Sequence, residues 1–231
     1  MNFSFFYYDF IENQRYMYLI KGLGNTLLIT VGAVLIGVIL GGLAAIVRIM
    51  AQNNKGKRGP VLTILNGIVG LYLTVIRGTP MIVQLMIMYF AIWKSGSPVS
   101  VAIVSFGINS GAYIAEVVRS GIQSVDRGQT EAGRSLGLNG RQTMIHIILP
   151  QAFKNVAPAI FNEFIALIKE TSVAGYVGIH DLTKGGDIIR SQTYDAFPPL
   201  IAVALIYLVI VICLTQVLGV IERRQAKSDL R

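Results

Sequence analysis

The sequence predicts an all-α integral membrane protein of about five transmembrane helices, with an extra helix pair on the cytoplasmic side. Three observations carry that prediction. Mean hydropathy is +0.61, with 53% hydrophobic and only 14% charged residues, a composition too apolar for a soluble domain. Apolar runs long enough to cross a membrane recur along the whole 231 residues. Basic residues are distributed by side, as in a polytopic protein, rather than gathered into a nucleic-acid patch.

A helix crossing a ~30 Å hydrocarbon core needs roughly 20 apolar residues. That rule places spans at 22–47, 79–93, 99–118, 153–170 and 198–221. The opening MNFSFFYYDFIE has no positive n-region and sets Asp9 and Glu12 ahead of the first apolar run, so a cleaved signal is not expected. In the first span Ala33, Gly37, Gly41 and Ala45 recur every fourth residue. This smooth stripe lets another backbone approach closely, within the chain or between copies, where lipid gives helices no hydrophobic reason to associate.

Residues 60–93 as one helix would be ~50 Å long, so a break is expected, and Arg77-Gly78-Thr79-Pro80 supplies it. Thr79 is read as the cap and Pro80 as a first-turn residue, with 61–76 a helix along or obliquely through the inner leaflet and the second span beginning after it. Near the end of the third span Glu116 precedes Arg119 by three positions, the spacing of an intrahelical pair.

Residues 126–150 are compact, polar and charged. Asp126 and Gln129, and again Asn139 and Gln142, have the spacing of a reciprocal helix cap. Gly137 falls between the two predicted helices, where a left-handed turn favours a residue without a Cβ. His146 is read as a partly buried contact residue on the second helix.

In the fourth span Asn162 and Glu163 follow Pro158, about ten residues into the run, with Lys154 and Lys169 the nearest basic residues in sequence. A carboxylate in hydrocarbon costs at least ~2.5 kcal/mol and tends to face a bundle interior or water. Glu163 and Asn162 are therefore the candidate solute-contacting residues, against the alternative of a buried structural hydrogen bond. Residues 171–199 mix apolar turns with charges and are expected to fold back as a helix near 178–192, as a docking surface or as solvated loop. Cys213, the one cysteine, lies in an apolar run and forms no internal disulfide or metal cluster.

With these spans thirteen basic residues, among them Arg48, Lys55, Lys57, Arg58, Arg127, Arg134, Arg141 and Arg231, fall on the side of 126–150, and six on the other. The bias places the N-terminus outside and the C-terminus in the cytoplasm. No Walker A loop and no HExxH motif occurs, and the two histidines, His146 and His180, fall on opposite sides. No catalytic residue, no metal site and no nucleic-acid partner is expected.

Glu131, Ala132 and Gly133, three residues, Gly137, nine residues, Ile147, one residue, then Leu149-Pro150 match the spacing of the EAA loop of ABC importer permeases. The third Ala of that motif is Gly133 here. IRGTPMIVQLMIMYF, GAYIAEVVRSGIQSV and NEFIALIKETSVAGYVGI also resemble the polar amino-acid subfamily (histidine, glutamine and arginine permeases), over residues 16–222. The resemblance implies the type I ABC importer permease fold as one domain over 1–231, in a bacterial cytoplasmic membrane. It also implies a coupling role for Glu131, Ala132, Gly133, Arg134, Gly137, Arg141, Leu149 and Pro150 on a separate ATPase subunit, which binds the ATP and Mg; this chain carries no cofactor. A second permease copy or paralogue, an extracytoplasmic amino-acid-binding protein and membrane lipid are the other implied partners.

The rival reading is a stand-alone channel or secondary transporter, against which the five spans without inverted repeats speak. A membrane scaffold with no solute path is a third; substrate-dependent ATP hydrolysis separates it from the first.

Overall fold

The computed structural model describes residues 7–53, 56 and 59–229, with side chains through Gln225. Lys55, Lys57, Arg58 and Arg231, assigned above to the cytoplasmic side, lie outside the described residues, as does the side chain of Lys227, another of the thirteen. Among those described, every regular element is helical.

Helix α1 (Tyr16–Asn53) contains no proline, so nothing stops it at the hydrocarbon boundary and it runs past 22–47 at both ends. Helix α2 (Pro60–Gly78) opens on a proline, whose missing N–H is harmless in a first turn. The chain then breaks as expected, and helix α3 (Met81–Ile92) follows. Two details differ from the sequence reading. Pro80, in extended backbone at φ −65° and ψ 137°, holds the N-cap position, not Thr79. Thr79 instead accepts the Gln84 side-chain amide on its carbonyl and hydroxyl oxygens, at 3.0 and 2.8 Å.

The second difference is one of length: α2 is long and apolar enough to cross a membrane, whereas α3 reaches only ~18 Å at 1.5 Å per residue. The second spanning-length helix is therefore 60–78, not 79–93. Helix α4 (Pro98–Gln123) precedes the short α5 (Arg127–Ser135). Helix α6 covers 140–170 without interruption, taking in a π turn at Met144–Ile148, and α7 (Leu182–Thr193) and α8 (Phe197–Asp229) complete the chain. Five helical stretches among the described residues have spanning length and composition: Tyr16–Asn53, Pro60–Gly78, Pro98–Gln123, Gly140–Val177 and Phe197–Gln225.

The chain forms two compact units. The first comprises Met1–Leu35, Thr79–Gly107 and Phe164–Val217. Its core gathers Ile29, Ala33, Leu85, Phe106, Leu167 and Ala174. The segment after α6 belongs to it: a 3₁₀ turn at Thr171–Val177 leads to α7, which buries Leu182, Ile189 and Thr193. α7 is pinned to α1, where Asn25 Nδ2 donates to the His180 carbonyl at 2.8 Å and Thr26 Oγ1 accepts from the Leu182 N–H at 3.1 Å. The expected helix near 178–192 is thus present, starting four residues later because Asp181 caps it through the Thr183 and Lys184 N–H groups. It is a packed element, not a solvated loop.

The second unit comprises Ile36–Gly78, Ile108–Glu163 and Leu218–Arg231. Here the stripe of small residues on α1 meets α4 within the chain. A Cβ at Gly41 would lie 2.8 Å from the Gly111 carbonyl oxygen, too close for any other residue. Ala44, Leu73, Ala112 and Ala115 form the adjoining core, and Tyr72 Oη donates to the Ile108 carbonyl at 2.6 Å, joining α2 to α4. Glu116 pairs with Arg119 as the spacing predicts.

Candidate functional site

The 126–150 segment is built as two helices around one glycine. Asp126 caps α5 by accepting from the Gly128 N–H, but the reciprocal bond from Gln129 is not made: the Gln129 side chain accepts from Gln151 Nε2 at 3.2 Å instead. The second box is complete, with Asn139 and Gln142 each accepting the other's backbone N–H at 2.9 Å. Between them Gly137 stands at φ +84°. Its N–H reaches the Arg134 carbonyl and the Leu138 N–H reaches the Gly133 carbonyl, both at 3.1 Å, which is the Schellman arrangement that closes a helix with a left-handed residue.

The two helices touch at Gly133. It is buried, and a Cβ there would lie 2.8 Å from Thr143 Cγ2 and from Ile147 Cδ1. Glycine in place of the motif's third alanine therefore lets this pair close more tightly. Around the joint, Glu131, Ala132, Arg134, Arg141, Leu149 and Pro150 are all exposed, and Arg134 Nη1 also braces the turn through the Leu138 carbonyl at 3.1 Å. Apolar side chains share this surface: Leu136 is 81% exposed and Phe153 67%, with Ile145 and Leu149 beside them. His146 is exposed too, which corrects its reading as partly buried; its neighbours on the buried side are Thr143 and Ile148.

Leu149 and Pro150 lie in the interior of α6. Proline has no N–H to give a carbonyl one turn back, and the π turn just before it, in which the Leu149 N–H bonds the Met144 carbonyl, lets the helix pass the defect. Downstream, Asn155 Nδ2 donates to Ser124 Oγ at 2.9 Å, and Val156 packs over Gly121 of α4. One helix therefore carries the polar pair at one end and Glu163 about 30 Å further along.

Glu163 is half-buried and accepts a hydrogen bond from Ser110 Oγ of α4 at 3.1 Å. Ser110 is itself fully buried, beside Gly37 of α1, where a Cβ would come within 3.0 Å of its hydroxyl. Asn109, its neighbour, is buried as well. Asn162 is exposed, pointed away by the ~100° that separates consecutive helical residues, so the structure brings Glu163 to Ser110 but does not bring Asn162 there. Sequence reasoning missed Ser110. Its signal was the polar triplet Ser105, Asn109 and Ser110 inside an otherwise apolar span.

Comparison with known proteins gives this arrangement its context. Residues 37–227 match the family model of the binding-protein-dependent transport system inner membrane component. The chain is 36% identical over 216 residues to the arginine transport system permease protein ArtQ of Bacillus subtilis, covering 92% of this chain and 94% of that one. It is 36% identical over 211 residues to the glutamine transport system permease protein GlnP of Escherichia coli K12, covering 89% and 92%. Its structure superposes on a chain from the crystal structure of an amino acid ABC transporter with histidines, with a TM-score of 0.83 and 38% identity over 93% of this chain and 98% of that one. The inward-facing MetNI methionine ABC transporter shares the fold at 21% identity and a TM-score of 0.72, over 90% and 96%. With five spanning-length helices among its described residues and a family match over most of its length, the chain belongs to the family of binding-protein-dependent transport system inner membrane components.

Proposed function

We propose that this chain forms the translocation path of an ATP-driven importer for a polar amino acid. In this reading its 126–150 helix pair docks on a separate ATPase chain that holds the ATP and Mg. The observation that carries the proposal is the continuity of α6, which joins the exposed pair to Glu163 in one unbroken helix. Movement of an ATPase groove gripping Ile145 and Arg141 on α6, and Glu131, Arg134 and Leu136 of α5 through the Gly137 turn, would then be carried along α6 to Glu163. Apolar side chains inside a charged rim suit such a grip.

Relatives named for arginine and glutamine transport support an amino-acid cargo. Glu163, held by Ser110, supplies a carboxylate for the ammonium group every amino acid has, or for a guanidinium. Asn162 takes part only if α6 turns it inward during the cycle. The complete importer adds a second permease copy or paralogue and an extracytoplasmic binding protein, with this chain's N-terminus outside and its C-terminus in the cytoplasm. Purification with the co-expressed ATPase and candidate binding proteins, followed by a screen of the twenty standard amino acids for stimulated ATP hydrolysis, tests the reading. Stimulation by a polar amino acid supports it, and hydrolysis indifferent to all of them removes it.

A further inference from the structure

The second unit holds an open cavity of about 790 Å³ beside the 126–150 helix pair, with Arg127 and Thr130 exposed at its mouth. Its walls come from the end of α1, the end of α4, the start of α5 and the first turns of α6. The lining is divided by chemistry. Gln52, Asn53, Arg127 and Thr130 present amides, a hydroxyl and one cation, while Ile49, Ile122, Val125 and Ile148 present hydrocarbon, and no acidic residue lines it.

The polar wall is held in place. Arg119 Nη1 donates to Gln123 Oε1 at 2.6 Å, and Gln123 Nε2 donates to Gln52 Oε1 at 2.7 Å. With its oxygen spent on Gln123, the Gln52 amide has its N–H groups left to offer. The Arg127 guanidinium forms no hydrogen bond or ion pair among the described residues, although Asp126 lies next to it in the chain. That carboxylate is engaged by the Gly128 N–H.

We propose that this cavity binds the headgroup of an anionic phospholipid. Arg127, Thr130 and Gln52 would hold the phosphate, and the Ile49, Ile122 and Val125 wall would cover the glycerol and the first carbons of the acyl chains. A soluble phosphate uses the first set of contacts and has no use for the second, which favours the lipid. An occupant here bridges the ends of two spanning helices to both helices of the 126–150 pair, and so fixes the position from which the pair meets its partner. The site rests on the proposed placement of this segment at the cytoplasmic face of the membrane. Lipid binding has no sidedness, however, so its failure is distinct from a failure of topology, which labelling at Asn139 reads.

The test is native mass spectrometry of the purified full chain titrated with phosphatidylglycerol, phosphatidylcholine and glycerol 3-phosphate. The expected result is one phosphatidylglycerol retained per chain, with affinity falling roughly tenfold or more in Arg127→Gln and restored by Arg127→Lys. Arg223→Gln, which removes an exposed cation of α8 outside the cavity, should leave retention unchanged. Equal affinity in Arg127→Gln, equal retention of phosphatidylcholine, or an equal loss in Arg223→Gln would overturn the site. Displacement of the lipid by glycerol 3-phosphate alone would overturn the lipid as occupant and assign the cavity to a soluble phosphate.

Discussion

Two residues carry the proposed mechanism. Gly137 stands at φ +84°, a region that β-branched side chains essentially never occupy. Gly137→Val is therefore expected to deform the joint between α5 and α6 while leaving the chain inserted. It should show as lost ATPase binding, or as ATP hydrolysis no longer tied to uptake; normal transport would mean that the turn does not set the docking geometry. Glu163 is the second. A charge-assisted hydrogen bond is worth about 1.5 to 3 kcal/mol, so Glu163→Gln should raise the half-saturating substrate concentration by roughly 10- to 100-fold while basal ATP hydrolysis survives. Ser110→Ala, which removes the donor holding that carboxylate, should move affinity in the same direction by less. Unchanged affinity in Glu163→Gln with a lowered melting temperature would make the carboxylate a structural group.

Helices make two further predictions. Gly41→Leu forces side-chain atoms into the Gly111 backbone, where even a Cβ would sit at 2.8 Å, and overpacking of this kind costs about 1 to 3 kcal/mol. A lower melting temperature with normal membrane insertion is the expected result, read by thermal unfolding in detergent. The junction before α7 predicts a pH dependence. The His180 imidazole is held below its ordinary 6.5, first by burial and then by Lys21 and Lys184. A base whose folded pKa is depressed stays neutral in the fold while the unfolded chain takes up the proton. Its contribution is full above pH 6.5 and is lost as pH falls toward the folded value. His180→Gln should flatten the melting-temperature profile below pH 6.5, and an unchanged slope would remove His180 as its source.

How much of this could be read from the sequence follows from the range of each interaction. The Gly137 turn, the Asn139–Gln142 box and the Glu116–Arg119 pair depend on residues three to five positions apart, so their spacing carried them. The break before Pro80 was legible for the same reason, but which side of it holds the spanning-length helix was not, because both sides are apolar and the side after it, though the more apolar, is the shorter helix. Ser110 lies 53 positions from Glu163, and only the packing of α4 against α6 brings them together. The failed box at Asp126 is also tertiary in origin: Gln129 had a competing partner in Gln151, twenty-two positions away.

At the scale of the whole molecule, the proposed function requires the 126–150 pair to face the cytoplasm, as the bias of basic residues predicts. Single cysteines at Asn139 should label only from that side, and those at Ser97 and Lys184 only from outside. Labelling of Asn139 from outside would reverse the orientation and remove the surface on which an ATPase could act. The central claim is that the chain moves an amino acid only when its exposed helix pair is gripped by a chain that hydrolyses ATP. Uptake of radiolabelled arginine and glutamine into proteoliposomes holding the permease, with or without the ATPase, the binding protein and ATP, tests it most directly. The account predicts uptake of at least one of the two only when all three are present, and its abolition when the ATPase's nucleotide site is disabled. Equal uptake by the permease alone, driven by its own gradient, would contradict it.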